Sequence, residues 1–166
     1  IIWPAILMAL GLPLPKRVYG HGWLLIGGDK LSKSKADAIG NELTDPLEII
    51  SRYGSDALRY FLLRDVPFGN DGVYTNEAFL TRINSDLSND LGNLVSRTSA
   101  MINQYFDGVL YAPEQTEKFD FELIEVCEKA PAIVDKAMDE LNVSEALAAI
   151  FAICGRANKY VDETTP

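Results

Sequence analysis

A row of apolar side chains at helical spacing constrains this chain more than any other feature. From Asn76 onward, apolar or small residues recur every three or four positions. The row consists of Leu80, Ile83, Leu87, Leu91, Leu94, Thr98 and Met101. Because an α-helix turns once in about 3.6 residues, this spacing places the row on one face. The pattern predicts one long amphipathic helix, which Asp107 and Gly108 would end.

Two further stretches in the C-terminal half have the same helical period. Residues 121–141 and 144–161 predict two helices, and Pro131 is expected to bend or break the first because proline removes a backbone hydrogen bond. Amphipathic helices must bury their apolar faces against one another or against another layer. The chain is therefore predicted to be mainly α, with a C-terminal helix bundle preceded by α/β elements.

The N-terminal part of the chain combines helix and strand signals. Residues 1–10 are apolar and typical of a helix, which the glycine and proline that follow would stop. Residues 17–26 favour a buried strand or a hairpin because they hold aromatic and branched side chains. A glycine turn at residues 27–29 comes next, and then a loop rich in lysine and serine.

Two short helices are predicted before the long one. The first covers residues 47–52, with Asp45 as its cap and a proline in its first turn. The second covers residues 56–64, with Ser55 as its cap. Its apolar face would consist of Ala57, Leu58, Phe61 and Leu62. Residues 67–72 are rich in turn formers, and we interpret them as a connector at a domain boundary.

Composition excludes several classes of protein. With 48% hydrophobic and 23% charged residues, the chain can bury a core and is not of the disordered class. No apolar run is long enough to span a membrane. The formal charge of −9 counts against DNA binding and against a long interface with phosphates. A protein that reads a few unstacked RNA bases remains compatible with that charge.

The cysteine and histidine content argues against a metal site. Cys127 and Cys154 lie far apart, and His21 is the only histidine in the sequence. Metal sites built from these residue types need several of them at short spacing. We expect two reduced, buried thiols, as in a cytoplasmic protein, and no bound metal.

The segment with the clearest chemical meaning is Lys30-Leu31-Ser32-Lys33-Ser34. It places two lysines three positions apart, with hydroxyl groups between and after them, behind a predicted strand and a glycine turn. Mobile cations and hydroxyl donors suit the binding of a polyphosphate whose charge grows during a reaction. The alternative is a solvated loop that happens to contain lysines.

This segment resembles the second signature of class I aminoacyl-tRNA synthetases, usually written KMSKS, with leucine at position 31. Residues 53–60 resemble a segment shared by the methionine, leucine, valine and isoleucine members of that class. The parts that resemble the methionyl-tRNA synthetase family in particular are residues 1–5, 66–72, 90–97 and 157–163. Because the resemblance covers nearly the whole chain, a fragment of that family is the main interpretation.

The resemblance implies roles for the lysine segment. In this family, the second lysine of the signature, here Lys33, stabilises the departing pyrophosphate as ATP and the amino acid form an aminoadenylate. Lys30 would assist it, and the ATP would bind with Mg²⁺. The other residues of the segment that would lie at the nucleotide are Leu31, Ser32 and Ser34.

The strand before the lysine segment is the second part of the implied nucleotide site. His21, Gly22 and Trp23 would lie along the adenine and ribose of ATP, mainly through backbone groups. For His21, a structural imidazole is the alternative to a ligand contact.

The long helix carries a second candidate site. Ideal helix geometry places Asn93 and Arg97 on one flank, with Asp86, Asn89 and Gln104 near it. Asparagine can both donate and accept hydrogen bonds, and arginine can fork or stack on a base. A solvated helix face is the alternative. In the methionyl-tRNA synthetase family a pair at this spacing reads the CAU anticodon, which implies these two residues as contacts to tRNA(Met).

The resemblance also implies a domain organisation. Residues 1–35 would end a Rossmann-type catalytic domain, residues 36–75 would form a connective α/β segment that contacts the tRNA stem, and residues 76–166 would form a truncated anticodon-binding domain. The first class I signature, the zinc-bearing insertion and most of the methionine pocket would lie upstream. We therefore expect an internal fragment that is inactive without the rest of its protein, and any structural zinc would lie outside it.

One departure and two rival interpretations stay open. The loop over residues 35–44 is longer than is usual for the family, which leaves the roles of its residues in doubt. A leucyl-, valyl- or isoleucyl-tRNA synthetase fragment would share the catalytic part but lack the signatures at residues 68–72 and 93–97. A helical RNA-binding module without catalytic ancestry would give no reason for the lysine segment.

Overall fold

The computed structural model of the chain describes residues 1–26, 29–30, 45–112 and 116–164, and this part is mainly helical. In chain order its elements are α1 (Ile2–Ala9), β1 (Leu24–Ile26), β2 (Asp29–Lys30), α2 (Pro46–Tyr53), α3 (Ser55–Asp65), β3 (Gly72–Tyr74), α4 (Asn76–Arg82), a π-helical segment (Ile83–Gly92), α5 (Asn93–Phe106), α6 (Lys118–Asp139) and α7 (Val143–Thr164).

A small sheet forms where the N-terminal part of the chain meets residues 72–74. Strand β1 lies in its centre, antiparallel to β2 and parallel to β3. Leu25 is opposite Lys30 on one side and Val73 on the other. Strand β1 confirms only the end of the strand or hairpin predicted over residues 17–26, and its pairing with β2 lies across the predicted glycine turn, whose residues 27 and 28 are outside the described part of the chain. Pairing with β3 brings the hairpin beside the helices that follow.

Residues 17–23 are not part of a buried strand, so that part of the prediction was wrong. Val18 is 69% exposed and Trp23 is 59% exposed. Helix α1 likewise has no buried residue, although its bounds agree with the predicted helix. The branched and aromatic side chains of residues 17–23 indicated a buried strand. Among the described residues, however, only β1 has a neighbouring strand on each side.

The core lies between the sheet and helices α2, α3 and α4. Phe61 and Phe79 are almost completely buried, and Tyr74 is 4% exposed. The ring centre of Phe61 lies 5.6 Å from that of Tyr74 and 5.5 Å from that of Phe79, in edge-to-face arrangements. Such arrangements are favourable because the positive edge of one ring meets the negative face of another. The predicted apolar face of α3 is thus confirmed as part of this core.

The start of α2 agrees with the sequence prediction, and the start of α3 does not. Asp45 accepts a hydrogen bond from the backbone N–H of Leu47 at 2.9 Å. Between the helices, Gly54 has a φ of 84°, a conformation that favours glycine. Ser55 was predicted to cap α3 but is its first helical residue, and no side chain caps this helix. The turn at Gly54 starts the helix one residue earlier than the serine signal indicates.

The long amphipathic helix is present from Asn76 to Phe106, but its winding changes on the way. Residues 83–92 are wound as a π-helix, in which hydrogen bonds span five residues instead of four. After them, the backbone N–H of Asn93 reaches the carbonyls of Asp90 and Ser88. The helix ends where predicted, with Asp107 in the left-handed region at a φ of 52°.

The inward face of this helix differs from the predicted apolar row. Leu80, Leu91 and Thr98 are exposed, although the pattern placed them inside. The positions that are buried or partly buried at successive three- and four-residue spacings are Phe79, Ile83, Asp86, Asp90, Leu94, Arg97 and Met101. The extra residue per turn of the π segment shifts the register, and charged residues can face inward because they have partners there.

Helices α6 and α7 form an antiparallel hairpin at the C-terminal end. Their contact includes three buried alanines, Ala130, Ala137 and Ala146, whose small side chains allow close approach. The hairpin turns at Leu141, which has a φ of 60°, and the N–H of Asn142 donates to the carbonyl of Ala137 at 2.7 Å. The two predicted C-terminal helices are therefore confirmed: α6 begins before residue 121 and ends before residue 141, and α7 extends beyond the predicted range 144–161 at both ends.

Two predictions about α6 need correction. Pro131 does not break the helix, which runs through it from Lys118 to Asp139. Its ring lies on the exposed side, beside the buried Ala130, so packing against α7 continues past it. Cys127 was expected to be buried but is exposed, whereas Cys154 is buried. The less exposed positions of α6 include Val126 and Ala130, and Cys127 lies outside that row.

We predict that the core depends strongly on Phe61. The substitution Phe61→Ala should lower the free energy of unfolding of this chain by about 3–5 kcal/mol, because it removes a fully buried ring and leaves a cavity. Phe121→Ala is the matched control, since Phe121 is 61% exposed, and should change it by less than about 0.5 kcal/mol. Chemical denaturation measures both. Equal effects of the two substitutions would contradict this assignment of the core.

Candidate functional site

The polar pair predicted on the long helix lies at the start of α5. Asn93 is its first residue and is exposed. Arg97 follows one turn later, and its Nη2 donates to Oδ1 of Asp162 in α7 at 2.7 Å. The side chains of Arg97 and Asp162 are 36% and 65% exposed, so solvent screens this ion pair. The structure thus brings the predicted pair together and adds a partner that the helix pattern could not show.

The end of α7 is fastened to both neighbouring helices near this pair. Asn158 donates from Nδ2 to the carbonyl oxygen of Asp90, in the π segment, at 2.9 Å. The hydroxyl of Tyr160 donates to Oδ1 of Asp120, in the first turn of α6, at 2.6 Å. This hydrogen bond, together with burial, raises the pKa of the Tyr160 phenol. These contacts hold α7 in place against α5 and α6.

The polar edge predicted around Asn93 and Arg97 is only partly present. Asn89 and Gln104 are exposed, but Asp86 is 5% exposed and faces the interior. The π winding between Asp86 and Asn93 explains the difference, because the prediction assumed an ideal α-helix throughout. What remains is the exposed amide of Asn93, which can donate and accept hydrogen bonds, and one turn later the guanidinium of Arg97, which can make paired hydrogen bonds to a base or stack on it.

The second predicted contact region, residues 21–23, is held by the loop over residues 67–72. The backbone N–H of Trp23 donates to Oδ1 of Asp71 at 2.7 Å, and the N–H of Gly72 donates to the carbonyl of Trp23 at 2.9 Å. A Cβ on Gly22 would lie 1.9 Å from the carbonyl oxygen of Asn70, so only glycine fits there. The Asp71 side chain and backbone groups of the loop therefore fix the segment over residues 21–23.

The His21 side chain folds back onto the same backbone. Its Nδ1 lies 2.7 Å from the carbonyl oxygen of Gly22, and because a carbonyl can only accept, the ring donates from Nδ1. The ring centre lies 6.3 Å from that of Phe68. An open, mostly apolar cavity of about 330 Å³ adjoins these groups. Its lining consists of His21, Gly22, Leu24, Leu62, Leu63, Val66 and Phe68.

Most of the lysine segment lies outside the described residues. The backbone of Lys30 pairs with β1 at the end of β2, and residues 31–34 are not described. The roles implied for these residues by sequence resemblance therefore stay predictions. The same holds for the longer loop over residues 35–44.

The described residues contain neither a metal-binding cluster nor a membrane-spanning helix. No group of three or more His, Cys, Asp or Glu side chains among them could hold a metal ion. Within the same ranges, no helix combines the length and the apolar character that a membrane crossing requires.

Comparison with known proteins identifies the family of the chain. A family model described as class I (M) tRNA synthetases matches residues 1–99. The chain belongs to this family. All 166 residues align at 59% identity with the methionine–tRNA ligase of Caldanaerobacter subterraneus subsp. tengcongensis, and at 52% with that of Clostridium perfringens. The chain spans 25% of the length of each of these relatives.

A solved structure supports the same family assignment. The structure of Mycobacterium tuberculosis methionyl-tRNA synthetase in complex with methionyl-adenylate matches the whole chain with a TM-score of 0.87 at 40% identity. The chain covers 32% of that protein. Membership of the M family excludes a helical module without synthetase ancestry and favours the methionine branch over the leucine, valine and isoleucine branches. The predicted resemblance to this synthetase family is therefore confirmed.

Sequence reasoning missed the residues that hold the candidate site in place. Asp71 and Asp162 lie in segments that the resemblance singled out, but neither was assigned a partner. Both act over a long distance in sequence, Asp71 on Trp23 and Asp162 on Arg97. A periodic or motif-based signal cannot report such pairs.

We predict that Asp71 fixes the backbone of residues 21–23. Asp71→Ala should accelerate hydrogen exchange of the Trp23 amide by roughly ten- to hundredfold, because a hydrogen bond to a charged group is lost. Asp71→Asn is the matched control, since its side-chain oxygen can still accept and exchange should stay close to the unmodified rate. The measurement is amide exchange by NMR. Unchanged exchange in the alanine variant would show that the bond does not constrain this strand.

Proposed function

We propose that the protein to which this chain belongs is a methionine–tRNA ligase. In this reaction the carboxylate of methionine attacks the α-phosphorus of ATP, pyrophosphate leaves, and the terminal ribose of tRNA(Met) then takes the methionyl group from the adenylate and releases AMP. The observation that carries the proposal is the match of the whole chain to methionine–tRNA ligases at 52–59% identity. The substrates are methionine, ATP bound with Mg²⁺, and tRNA(Met).

The lysine segment is proposed to act on the phosphates. Lys33 would neutralise the charge that grows on the departing pyrophosphate, with Lys30 assisting and the hydroxyls of Ser32 and Ser34 near the phosphate oxygens. Support comes from the hairpin, which brings the backbone of Lys30 to the sheet beside Leu25. The segment would therefore begin at the edge of an ordered sheet.

Residues 21–23 are proposed to contact the adenine and ribose of the same ATP, as the sequence implied. The loop over residues 67–72 already fixes the backbone of this segment. The segment would therefore not have to be ordered when the nucleotide binds. The indole of Trp23 is 59% exposed and His21 is at the surface, where a ligand can reach them. Because the His21 ring already donates to Gly22, a structural role for its side chain is favoured.

Asn93 and Arg97 are proposed to read the CAU anticodon. Asn93 is exposed, and Arg97 is held only by a solvent-screened ion pair with Asp162. An exposed pair of this kind is worth little, typically about 0–1 kcal/mol, so a base can replace the carboxylate as partner. The formal charge of −9 fits recognition of a few bases rather than a long phosphate track.

The domain organisation follows from these assignments. Residues 1–35 would complete a Rossmann-type catalytic domain, residues 36–75 would contact the tRNA stem, and residues 76–166 would form the anticodon-binding part. The enzyme would act in the cytoplasm, without a membrane or DNA partner. A structural zinc, if the enzyme holds one, would lie in another part of it.

Lys33 provides a test of the catalytic assignment. In the whole enzyme, Lys33→Ala should slow methionine-dependent ATP–pyrophosphate exchange by roughly 10²–10³, because it removes one cationic group that stabilises the transition state. Lys16→Ala, which removes an exposed lysine outside the motif, should leave exchange unchanged. The isolated chain is the negative control and should give no exchange. An unaffected Lys33→Ala enzyme would disprove the assigned role.

Arg97 provides a separate test of anticodon reading. Arg97→Ala should lower kcat/KM for charging of tRNA(Met) by roughly 10–10² through loss of one charge-assisted contact to a base, while exchange without tRNA stays constant. Lys136→Ala removes an exposed positive charge on α6 and serves as the control. Charging of tRNAs with CAU and altered anticodons measures the effect. Unchanged discrimination in the alanine enzyme would contradict the assignment.

A further inference from the structure

A buried carboxylate lies where the long helix meets the elements before and after it. Asp86 is 5% exposed and is the one buried charged or polar residue among those the structure describes. It lies in the π segment, between Phe79 in the core and Asn93 at the start of α5. Burial of an ionised carboxylate is costly unless charged and hydrogen-bonding partners compensate for the lost water.

Asp86 has such partners from two elements. The hydroxyl of Tyr60 in α3 donates to Oδ2 at 2.6 Å, and Nη1 of Arg82 in α4 lies 3.3 Å from the same oxygen. Nε of Arg64, also in α3, lies 3.8 Å from it. Burial, the hydrogen bond to Asp86 and its charge together raise the pKa of the Tyr60 phenol, so the hydroxyl stays protonated and keeps donating.

The two arginines extend these contacts further. Arg82 also donates from Nε to Oδ1 of Asp65, at the end of α3, at 2.9 Å. Arg64 contacts the start of α7, where its Nη1 lies 3.3 Å from Oγ of Ser144, and that hydroxyl donates to the carbonyl of Arg64 at 2.6 Å. We call the group Tyr60, Arg64, Asp65, Arg82, Asp86 and Ser144 the polar joint.

The polar joint connects three parts of the chain that the proposed function assigns to different tasks. Helix α3 belongs to the connective segment that leads back to the sheet and the lysine loop. The π segment leads directly into Asn93. Helix α7 starts at the joint, and its other end holds Arg97 through Asp162. The polar joint is therefore one of the contacts between the connective segment and these two helices, together with the ring contacts Phe61–Phe79 and Tyr60–Phe151.

Stability alone does not account for a carboxylate at this position. Replacement of buried ion pairs by apolar groups of similar volume is often neutral or stabilising. Hydrogen bonds and ion pairs differ from apolar contacts because they fix direction as well as distance. Two carboxylates and two guanidiniums link α3 to the long helix, and the contact of Arg64 with Ser144 adds α7, so the group favours one relative orientation of these helices.

We propose that Asp86 is a positioning residue that sets the orientation of the anticodon-reading helix relative to the catalytic segment. The inference rests on the proposed function and adds a specific task for a residue that contacts neither ATP nor the anticodon. With the joint intact, a tRNA held at its anticodon presents its acceptor end correctly to the adenylate. Without it, the anticodon still binds, but the acceptor end is misplaced.

The test uses the whole enzyme with Asp86→Asn, which keeps the shape of the side chain and removes its charge. We expect kcat for charging of tRNA(Met) to fall by roughly ten- to hundredfold, as for a misplacement of about 1 Å. The KM for tRNA and the rate of methionine-dependent ATP–pyrophosphate exchange should stay within about twofold, because anticodon binding and adenylate formation do not require the joint.

Two further variants make the result specific. Tyr60→Phe removes one hydrogen bond to Asp86 but keeps every charge, and should lower kcat for charging by roughly threefold. If Asp86→Asn fails to fold, this variant carries the test. Glu125→Gln breaks an ion pair with Lys129 on the surface of α6, where both side chains are more than 60% exposed, and should leave all three measurements unchanged.

The outcomes separate the inference from the proposed function. An unmodified enzyme without methionine-dependent exchange would refute the proposed function, and the inference with it. If exchange is normal but the Asp86 and Tyr60 variants charge tRNA at the unmodified rate, the inference alone is wrong. A rise in KM for tRNA with unchanged kcat would also overturn it, because that result indicates a weakened anticodon site rather than a change of orientation.

Discussion

The contacts among Phe61, Tyr74 and Phe79 hold together elements that are too short to be stable by themselves. Strand β3 has three residues and α3 has eleven, below the length at which an isolated strand or helix persists in water. Each contributes one ring to the cluster, and the start of the long helix contributes the third. Burial of these rings offsets the entropy of ordering the sheet, so the sheet depends on the docked start of the long helix.

Polar contacts beside this core restrict the relative orientation of its helices. Apolar rings resist separation but tolerate small rotations, whereas the carboxylate of Asp86 has to meet Tyr60 and Arg82 at defined angles. The π winding makes this possible, because one extra residue per turn brings Asp86 inward while Leu91 turns to solvent. The π segment therefore buries Asp86 with its hydrogen bonds and ion pairs, while the apolar Leu91 is exposed.

The sequence predicted where the helices lie better than it predicted which side of each helix is buried. Strong helical periodicity is sufficient to find α5, α6 and α7, because local propensity and spacing decide whether a helix forms. It placed Leu80 and Leu91 inside because a period reports what a regular helix would bury. The partners that reverse this lie far along the chain, Tyr60 for Asp86 and Asp162 for Arg97. The proposed anticodon role of Asn93 and Arg97 rests on family resemblance, since a polar helix flank alone does not distinguish a base-binding surface from a solvated one.

The placement of the arginines explains how so acidic a chain can belong to a family that handles tRNA. The sequence has seven arginines, and six of them donate to groups within the chain. Most of the arginines therefore stabilise the fold. They do not form a row of free cations along which the phosphates of a nucleic acid could bind. Of these six, Arg97 is held to a half-exposed carboxylate that solvent screens, in contrast to Arg82, whose partner Asp86 is buried. The guanidinium of Arg97 is thus easier to release than that of Arg82, which is consistent with its proposed contact to a base.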